Sequence, residues 1–138
     1  MPSDKSLKVL LWIAAVYHIV LGLLGVFAKD ATVYLANVAF NFNLTLNNEM
    51  LWVINPFAAY LLVFGVFMAV AATDPKKYKN IIYAGVGLFA LRVIQRIIFV
   101  VSAPEGLISS VDPIRNTFAI AVVAVMGLSM FLLARKLK

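Results

Sequence analysis

Residues 51–101 read LWVINPFAAYLLVFGVFMAVAATDPKKYKNIIYAGVGLFALRVIQRIIFVV and contain two long apolar segments separated by a short polar turn. The first segment ends at Thr73, and the second begins at about residue 80. The hydrocarbon core of a bilayer is about 30 Å thick, and a helix needs about 20 apolar residues to cross it. The stretch therefore predicts two antiparallel transmembrane helices that are neighbours in the fold, because the connection between them is short.

Two further apolar segments flank this pair, so the chain is expected to cross the membrane four times. The four spans lie at about residues 7–27, 51–73, 80–101 and 117–135. Of the 138 residues 64% are hydrophobic and 13% are charged, which is more apolar surface than a soluble core of this size could bury. The composition predicts an all-α integral membrane protein, a four transmembrane helix bundle that forms a single membrane domain over residues 1–138.

The basic residues indicate the orientation of this bundle. Eight of the twelve Lys and Arg residues fall on the side that carries both termini and the 74–79 turn. They are Lys5, Lys8, Lys76, Lys77, Lys79, Arg135, Lys136 and Lys138. The opposite side carries Lys29 and Arg115, and the positive-inside rule therefore predicts that the N- and C-termini are cytoplasmic. The net charge of +6 could suggest nucleic acid, but the positions of the basic residues instead predict contact with anionic lipid headgroups and no binding of nucleic acid.

The loop between the first two spans is too long for a simple turn, so we expect it to have structure of its own. Apolar residues alternate with Asn and Thr from Val38 to Asn47, which is typical of a half-buried strand. The fold class thus includes a partly extended extracytoplasmic loop, either a hairpin or a flap over the outer mouth of the bundle. Alternatively, Phe40 and Phe42 dip into the membrane interface. The loop could serve as a lid or as a docking surface.

Small residues form a stripe on three of the spans, where they would let helix backbones approach each other. The stripe of the first span is Ala14, Ala15, His18, Gly22 and Gly25, that of the second is Asn55, Ala58, Leu62, Gly65, Ala69 and Ala72, and that of the fourth is Ala121, Ala124 and Gly127. The stripes predict that His18 and Asn55 point into the bundle and away from lipid.

The third span carries Arg92, Gln95 and Arg96 on one side of the helix, with the two arginines one turn apart. An arginine at the centre of a membrane helix costs about 2.5 to over 10 kcal/mol, so the pair is a candidate site. A structural role is also possible. Arg96 could reach the outer surface and pair with Asp30, Glu49, Glu105 or Asp112, and Arg92 could bind backbone carbonyls, Asn55 or Gln95.

The functional interpretation of the arginine pair is an anion site. Arginine binds carboxylates and phosphates through two parallel hydrogen bonds and stays charged in any environment. His18 falls at mid-depth and could approach Arg92, while Tyr17 and Tyr60 could add phenolic donors. The candidate ligand-binding residues are therefore Arg92, Arg96, Gln95, His18, Asn55, Tyr17 and Tyr60. A lipid headgroup, a fatty acid, a quinone or an organic anion would fit such a pocket.

Three functional classes remain open. The chain has no cysteine, a single histidine and no recognisable catalytic or metal-binding motif, and its cofactor, if any, is unknown. The first class is a non-enzymatic protein, either an accessory subunit of a membrane complex or a binder of lipid or hydrophobic anions. The second is a membrane enzyme or redox component that acts on a quinone or lipid. The third is a carrier or channel, which at this size would need a homo-oligomer.

Residues 60–92, YLLVFGVFMAVAATDPKKYKNIIYAGVGLFALR, resemble the middle of small four-helix membrane proteins of the DoxX-like kind. In those proteins a glycine-containing second span ends in a short Ala-Asp-Pro turn followed by basic residues. The likeness covers about a quarter of the chain, and the turn is a general helix-stop signal. The resemblance implies a four-helix bundle in the plasma (inner) membrane of a prokaryote, with other membrane subunits or redox proteins as partners.

Overall fold

A computed structural model of the chain describes residues 2–102 and 112–137. These residues form five helices and no strand. The helices are α1 (Pro2–Phe27), α2 (Lys29–Phe40), α3 (Asn48–Thr73), α4 (Lys79–Ser102) and α5 (Pro113–Arg135). Helices α1, α3, α4 and α5 are long and apolar enough to cross a membrane. The described chain is thus an all-α membrane bundle, as its composition predicts.

Helix ends coincide with residues that can replace the missing backbone partners. The side chain of Asn47 accepts a hydrogen bond from the backbone nitrogen of Met50 at the start of α3. Asp112 accepts from the backbone nitrogens of Ile114 and Arg115 at the start of α5. These contacts satisfy amide groups that a first helical turn leaves free. Consequently α5 begins at Pro113, several residues before the predicted start of the fourth span.

The four long helices surround a common interior but do not pack equally closely. Helix α1 packs most extensively on α3, and α4 packs most extensively on α5, while α3 and α4 touch each other far less. The short turn therefore makes α3 and α4 neighbours, as predicted, without making them a tight pair. A gap is left along their shared side.

The α1–α3 interface depends on one glycine from each helix. Gly22 of α1 faces Leu62 of α3, and Gly65 of α3 faces Ile19 of α1. A Cβ atom added to Gly22 would lie 2.8 Å from the backbone nitrogen of Leu62. A Cβ atom added to Gly65 would lie 2.8 Å from the backbone nitrogen of Ile19. Both distances are too short for a real contact, so only glycine permits this approach. The predicted small-residue stripes of the first two spans are confirmed at these positions.

The stripe predicted for the fourth span is wrong in part. Gly127 is buried against Phe89 of α4, but Ala121 and Ala124 are exposed. The buried positions of α5 are Asn116, Gly127, Met130 and Ala134. A prediction from residue size alone therefore places the wrong side of this helix in the interface. Larger side chains, such as Met130, fill the interface around Gly127.

The hydrophobic core lies at the end of the bundle that carries both termini, which we call the terminal end. Leu7 and Leu11 of α1, Met68 of α3, Ile82 of α4 and Met130 of α5 are fully buried there. The side chain of Lys79 donates a hydrogen bond to the carbonyl of Leu137, which joins the start of α4 to the end of α5. The beginning of α1, the 74–78 turn and the end of α5 therefore lie together.

The opposite end is covered by α2 and residues 41–47, which we call the roof. The predicted strand over residues 38–47 is wrong, because α2 continues to Phe40 and residues 42–47 have no regular secondary structure. Asn41 adopts a left-handed conformation that ends α2. The side chain of Asn37 then accepts a hydrogen bond from the backbone nitrogen of Leu44 and donates one to its carbonyl. This amide satisfies backbone groups that a second strand would otherwise have bonded.

Candidate functional site

A cavity of about 520 Å³ lies beneath the roof, between the four long helices. Its wall includes six phenylalanines: Phe40, Phe42, Phe57, Phe64, Phe89 and Phe99. Its polar lining residues are His18, Tyr60, Arg92, Gln95, Arg96 and Asn116. The bundle is thus closely packed at its terminal end and open at its roof end.

His18 is held at the base of the cavity by two hydrogen bonds that fix its tautomer. Its Nδ1 atom lies 2.7 Å from the carbonyl oxygen of Ala14, which can only accept, so Nδ1 carries the proton. Its Nε2 atom lies 3.3 Å from Nη1 of Arg92, which can only donate, so Nε2 accepts. The imidazole is therefore neutral in this arrangement, and both of its ring nitrogens are occupied.

Aromatic rings hold the imidazole of His18 in this orientation. The ring of Phe64 lies 4.6 Å away and the ring of Tyr17 lies 5.1 Å away, both edge-on. Phe89 lies 6.0 Å from the imidazole and is itself buried. The side chain of His18 is only 3% exposed. The imidazole therefore acts as a fixed acceptor that positions the guanidinium of Arg92.

Arg96 is held by a different set of contacts, one helical turn closer to the roof. Its Nη1 donates a hydrogen bond to the side-chain oxygen of Asn116, at 2.7 Å. Its guanidinium also lies over the ring of Phe40, 5.0 Å from the ring centre. A cation over an aromatic face is attracted by the negative face of the ring. Arg96 thus connects α4 to α5 and to the roof.

The roof itself is fastened to the bundle near these contacts. Phe40 and Phe42 pack against each other, with ring centres 5.6 Å apart, and both line the cavity. The side chain of Arg115 donates a hydrogen bond to the carbonyl of Val38 near the end of α2. The expected position of the loop over the mouth of the bundle is therefore confirmed, although its predicted strand is not. Phe40 and Phe42 form the ceiling of the cavity.

The cavity has a marked excess of positive charge. Arg92 and Arg96 both line it, and no Asp or Glu does so within residues 2–102 and 112–137. Each guanidinium has five N–H donors, and the contacts described above use one donor nitrogen of each. Among the described contacts, each guanidinium therefore keeps further donors that a ligand could use.

The structure brings most of the predicted site residues together. Arg92, Gln95, Arg96, His18 and Tyr60 line one cavity, and the expected approach of His18 to Arg92 is confirmed. Tyr17 is half exposed and contacts the ring of His18, but it does not line the cavity.

The prediction that Asn55 points into the bundle is wrong. Asn55 is exposed, whereas Ile54 and Ala58 are buried against Gly25 of α1. Successive residues of a helix are rotated by about 100°, so burial of Ile54 turns Asn55 away. Asn55 therefore contacts neither Arg92 nor the cavity, and its expected hydrogen bond to Arg92 is absent from the described contacts.

The predicted acidic partners of Arg96 do not fill that role among the described residues. The partner of Arg96 is the amide of Asn116. Asp112 instead forms an ion pair with Arg115, at 3.5 Å. Glu105 lies outside the described residues. Arg96 is consequently held by a neutral group and keeps its charge uncompensated within the described cavity lining.

Sequence reasoning missed Asn116 and the aromatic wall. Asn116 is only 4% exposed, but it lies one residue before the predicted start of the fourth span and so falls in a predicted loop. The pair Asp112–Pro113, a capping residue followed by proline at the first helical position, is the sequence signal that places Asn116 within the helix. Phenylalanines are common in membrane helices, so only the three-dimensional arrangement distinguishes those of the cavity.

Fold and site together define an all-α membrane bundle with a basic, aromatic-walled cavity that is partly open. Comparisons of the chain with protein-family models, with curated proteins and with solved structures found no match. The functional argument therefore depends on the geometry and chemistry of the cavity.

Proposed function

We propose that this protein binds an amphipathic anion whose carboxylate or phosphate group lies between Arg92 and Arg96. One observation carries the proposal: two guanidinium groups share an apolar cavity whose described lining contains no carboxylate. Burying such charges inside a membrane is costly, and a bound anion offsets that cost through charge-assisted hydrogen bonds. The apolar wall would receive the rest of the ligand.

The cavity favours an anion over a quinone. A quinone presents neutral carbonyl oxygens, which can accept hydrogen bonds but cannot compensate the two positive charges. It also favours binding over catalysis, because the described lining contains no serine, threonine or cysteine. His18 could act as a base only after losing its contact with Arg92. A binding protein, alone or as an accessory subunit of a membrane complex, is thus the best-supported function.

The proposal includes the setting of the protein. The terminal end faces the cytoplasm and the roof faces the opposite side, on the basis of the charge distribution. Three further statements stay predictions. They are the resemblance to DoxX-like proteins, the location in a prokaryotic inner membrane, and the association with other membrane subunits or further copies of this chain.

The first prediction concerns the arginines. Arg92→Gln and Arg96→Gln should each weaken the binding of palmitate about 10- to 100-fold, since a hydrogen bond to a charged group contributes about 1.5–3 kcal/mol. Isothermal titration calorimetry of the protein purified in mild detergent measures this loss. Arg135→Gln at the terminal end is the matched control and should bind palmitate like the unmodified protein.

Two results would contradict the anion site. One is unchanged palmitate affinity in both cavity variants, with helical circular dichroism preserved. The other is equal binding of palmitate and of the neutral alcohol of the same chain length. Mass spectrometry of the gently extracted protein adds an independent readout, because an amphiphile that co-purifies with the unmodified protein should be lost from Arg96→Gln.

A further inference from the structure

A second cavity, of about 290 Å³, lies between α3 and α4 on the side of the terminal end. It shares Phe64 and Leu88 with the cavity that holds the arginines, so the two are adjacent. Its other walls include Phe67 of α3 and Ile81 and Ala84 of α4. The exposed surface of this second cavity is apolar. It therefore extends the basic cavity with a groove suited to hydrocarbon.

The groove opens sideways, toward the surface that the bilayer covers. Leu88 is 48% exposed and Phe67 is 52% exposed, although both line the groove. These side chains stand on the outer sides of helices long enough to span a membrane. A ligand could thus pass between the hydrocarbon core and the basic cavity without crossing the roof.

The length of the groove corresponds to one acyl chain. Eleven residues separate Ile81 from Arg92, and at about 1.5 Å per residue they rise about 16 Å along α4. Half of the hydrocarbon core, which one layer of lipid tails fills, is about 15 Å thick. A tail that starts at Arg92 would therefore reach the lower end of the groove.

The groove is also narrow. Its volume of about 290 Å³ is little more than half that of the basic cavity. The side chain of Met68 also extends toward Gly85, where its Cε would lie 2.8 Å from an added Cβ atom, so this side chain fills part of the space between α3 and α4. The small volume favours one hydrocarbon tail over two.

We infer that the ligand is a single-chain anionic amphiphile, with its acidic group at Arg92 and Arg96 and its tail in the groove between α3 and α4. This inference rests on the proposed anion site and adds the class of ligand and its route of entry. Long-chain carboxylates and single-chain lipid phosphates share the required chemistry. Their tails would leave the bilayer through the side of the bundle.

A bulky substitution in the groove tests the inference. Ala84→Phe should weaken palmitate binding at least tenfold and leave the binding of octanoate within about twofold, because only the longer tail reaches Ala84. Ala90→Phe adds the same side chain to an exposed position of α4 that lines neither cavity and should change neither affinity. Octanoate binding also reports that the variant is folded and that its arginines remain accessible.

Two series in the unmodified protein complete the test. Affinity should rise about fourfold for each added methylene from octanoate until the tail fills the groove, as expected for burial of about 0.8 kcal/mol per methylene. Lysophosphatidic acid should bind more tightly than two-chain phosphatidic acid, and its comparison with palmitate identifies the preferred acidic group. Two results would refute binding of a single tail in the groove. One is equal palmitate affinity in Ala84→Phe and Ala90→Phe, and the other is tighter binding of phosphatidic acid than of lysophosphatidic acid. If the groove were refuted in this way, loss of octanoate binding in Arg96→Gln would still support the anion site at Arg92 and Arg96.

Discussion

Arg92 and Arg96 lie one turn apart on α4, but their neighbours give them different roles. Arg92 donates to the neutral imidazole of His18, whose orientation is fixed by Ala14 and by surrounding aromatic rings. Arg96 donates to Asn116 and lies over Phe40 of the roof. Each arginine thus has a partner that holds its position and adds no negative charge. Neither contact is an ion pair, which is what the proposed anion site requires.

Asn116 offers a test of this distinction with almost no change of shape. Asn116→Asp places a carboxylate 2.7 Å from the guanidinium of Arg96 and should form an ion pair with it. The new pair competes with an anionic ligand, so palmitate affinity should fall about tenfold while thermal stability is maintained or rises. Calorimetric titration and thermal unfolding measure the two effects.

Asn43→Asp is the control for this substitution, because Asn43 is exposed in the roof and does not line the cavity. It adds the same charge to the protein at a distance from Arg96. Unchanged palmitate affinity in Asn116→Asp would mean that the ligand does not use Arg96.

At the scale of elements, the α1–α3 pair is the most closely packed part of the bundle. Gly65→Ala should destabilise the protein by about 1–3 kcal/mol, because its Cβ would lie 2.8 Å from the backbone nitrogen of Ile19 and the two helices would have to move apart. Denaturation by sodium dodecyl sulfate, followed by circular dichroism, measures the loss.

Gly87→Ala is the matched control for Gly65→Ala. A Cβ added to Gly87 meets no atom within 4 Å, so this variant should be neutral or more stable by up to about 1 kcal/mol from helix propensity alone. Equal stability of Gly65→Ala and Gly87→Ala would refute a contact-limited interface between α1 and α3.

The elements also show how far sequence reasoning extends. The spans were predicted because hydropathy averages over about 20 residues and depends little on any one contact. The structure of the roof is not predictable in this way. The alternation of residues 38–47 predicts strand pairing, but Asn37 and the left-handed Asn41 provide local hydrogen bonding and a helix end instead. The partly buried side chains of Phe42 and Leu44 still alternate with exposed neighbours. Burial was therefore predictable there, and backbone pairing was not.

The same reasoning explains the outcome at the site. Arg92, Arg96 and His18 are rare residue types within apolar helices, so the sequence alone marks them as unusual. Asn55 and Asn116 carry the same amide, yet one is exposed and the other is buried beside Arg96. The difference depends on which side of each helix packs against its neighbours. Contacts between helices decide this, and the sequence of one helix does not show them.

At the scale of the whole molecule, the closely packed end of the bundle is also the end with most of the basic residues. The terminal end contains the hydrophobic core, both termini and the turn after α3, and it carries most of the basic residues. The roof end contains the cavity. Basic residues favour the cytoplasmic side of a membrane, so the cavity should lie closer to the opposite surface.

The absence of cysteine from the chain makes this orientation measurable with single-cysteine variants. Asn43→Cys in the roof should react with a membrane-impermeant maleimide in intact cells, because its position is exposed and the charge distribution predicts that the roof faces outward. Lys77→Cys in the turn and Lys136→Cys after α5 are also exposed, but they should react only after the membrane is permeabilised. Reaction of Lys77→Cys and Lys136→Cys from opposite sides would contradict a bundle with an even number of crossings between them and so refute the fold. Reaction of both in intact cells, with Asn43→Cys protected, would preserve the bundle but place the arginine cavity nearer the cytoplasmic surface and the groove between α3 and α4 in the outer layer of lipid.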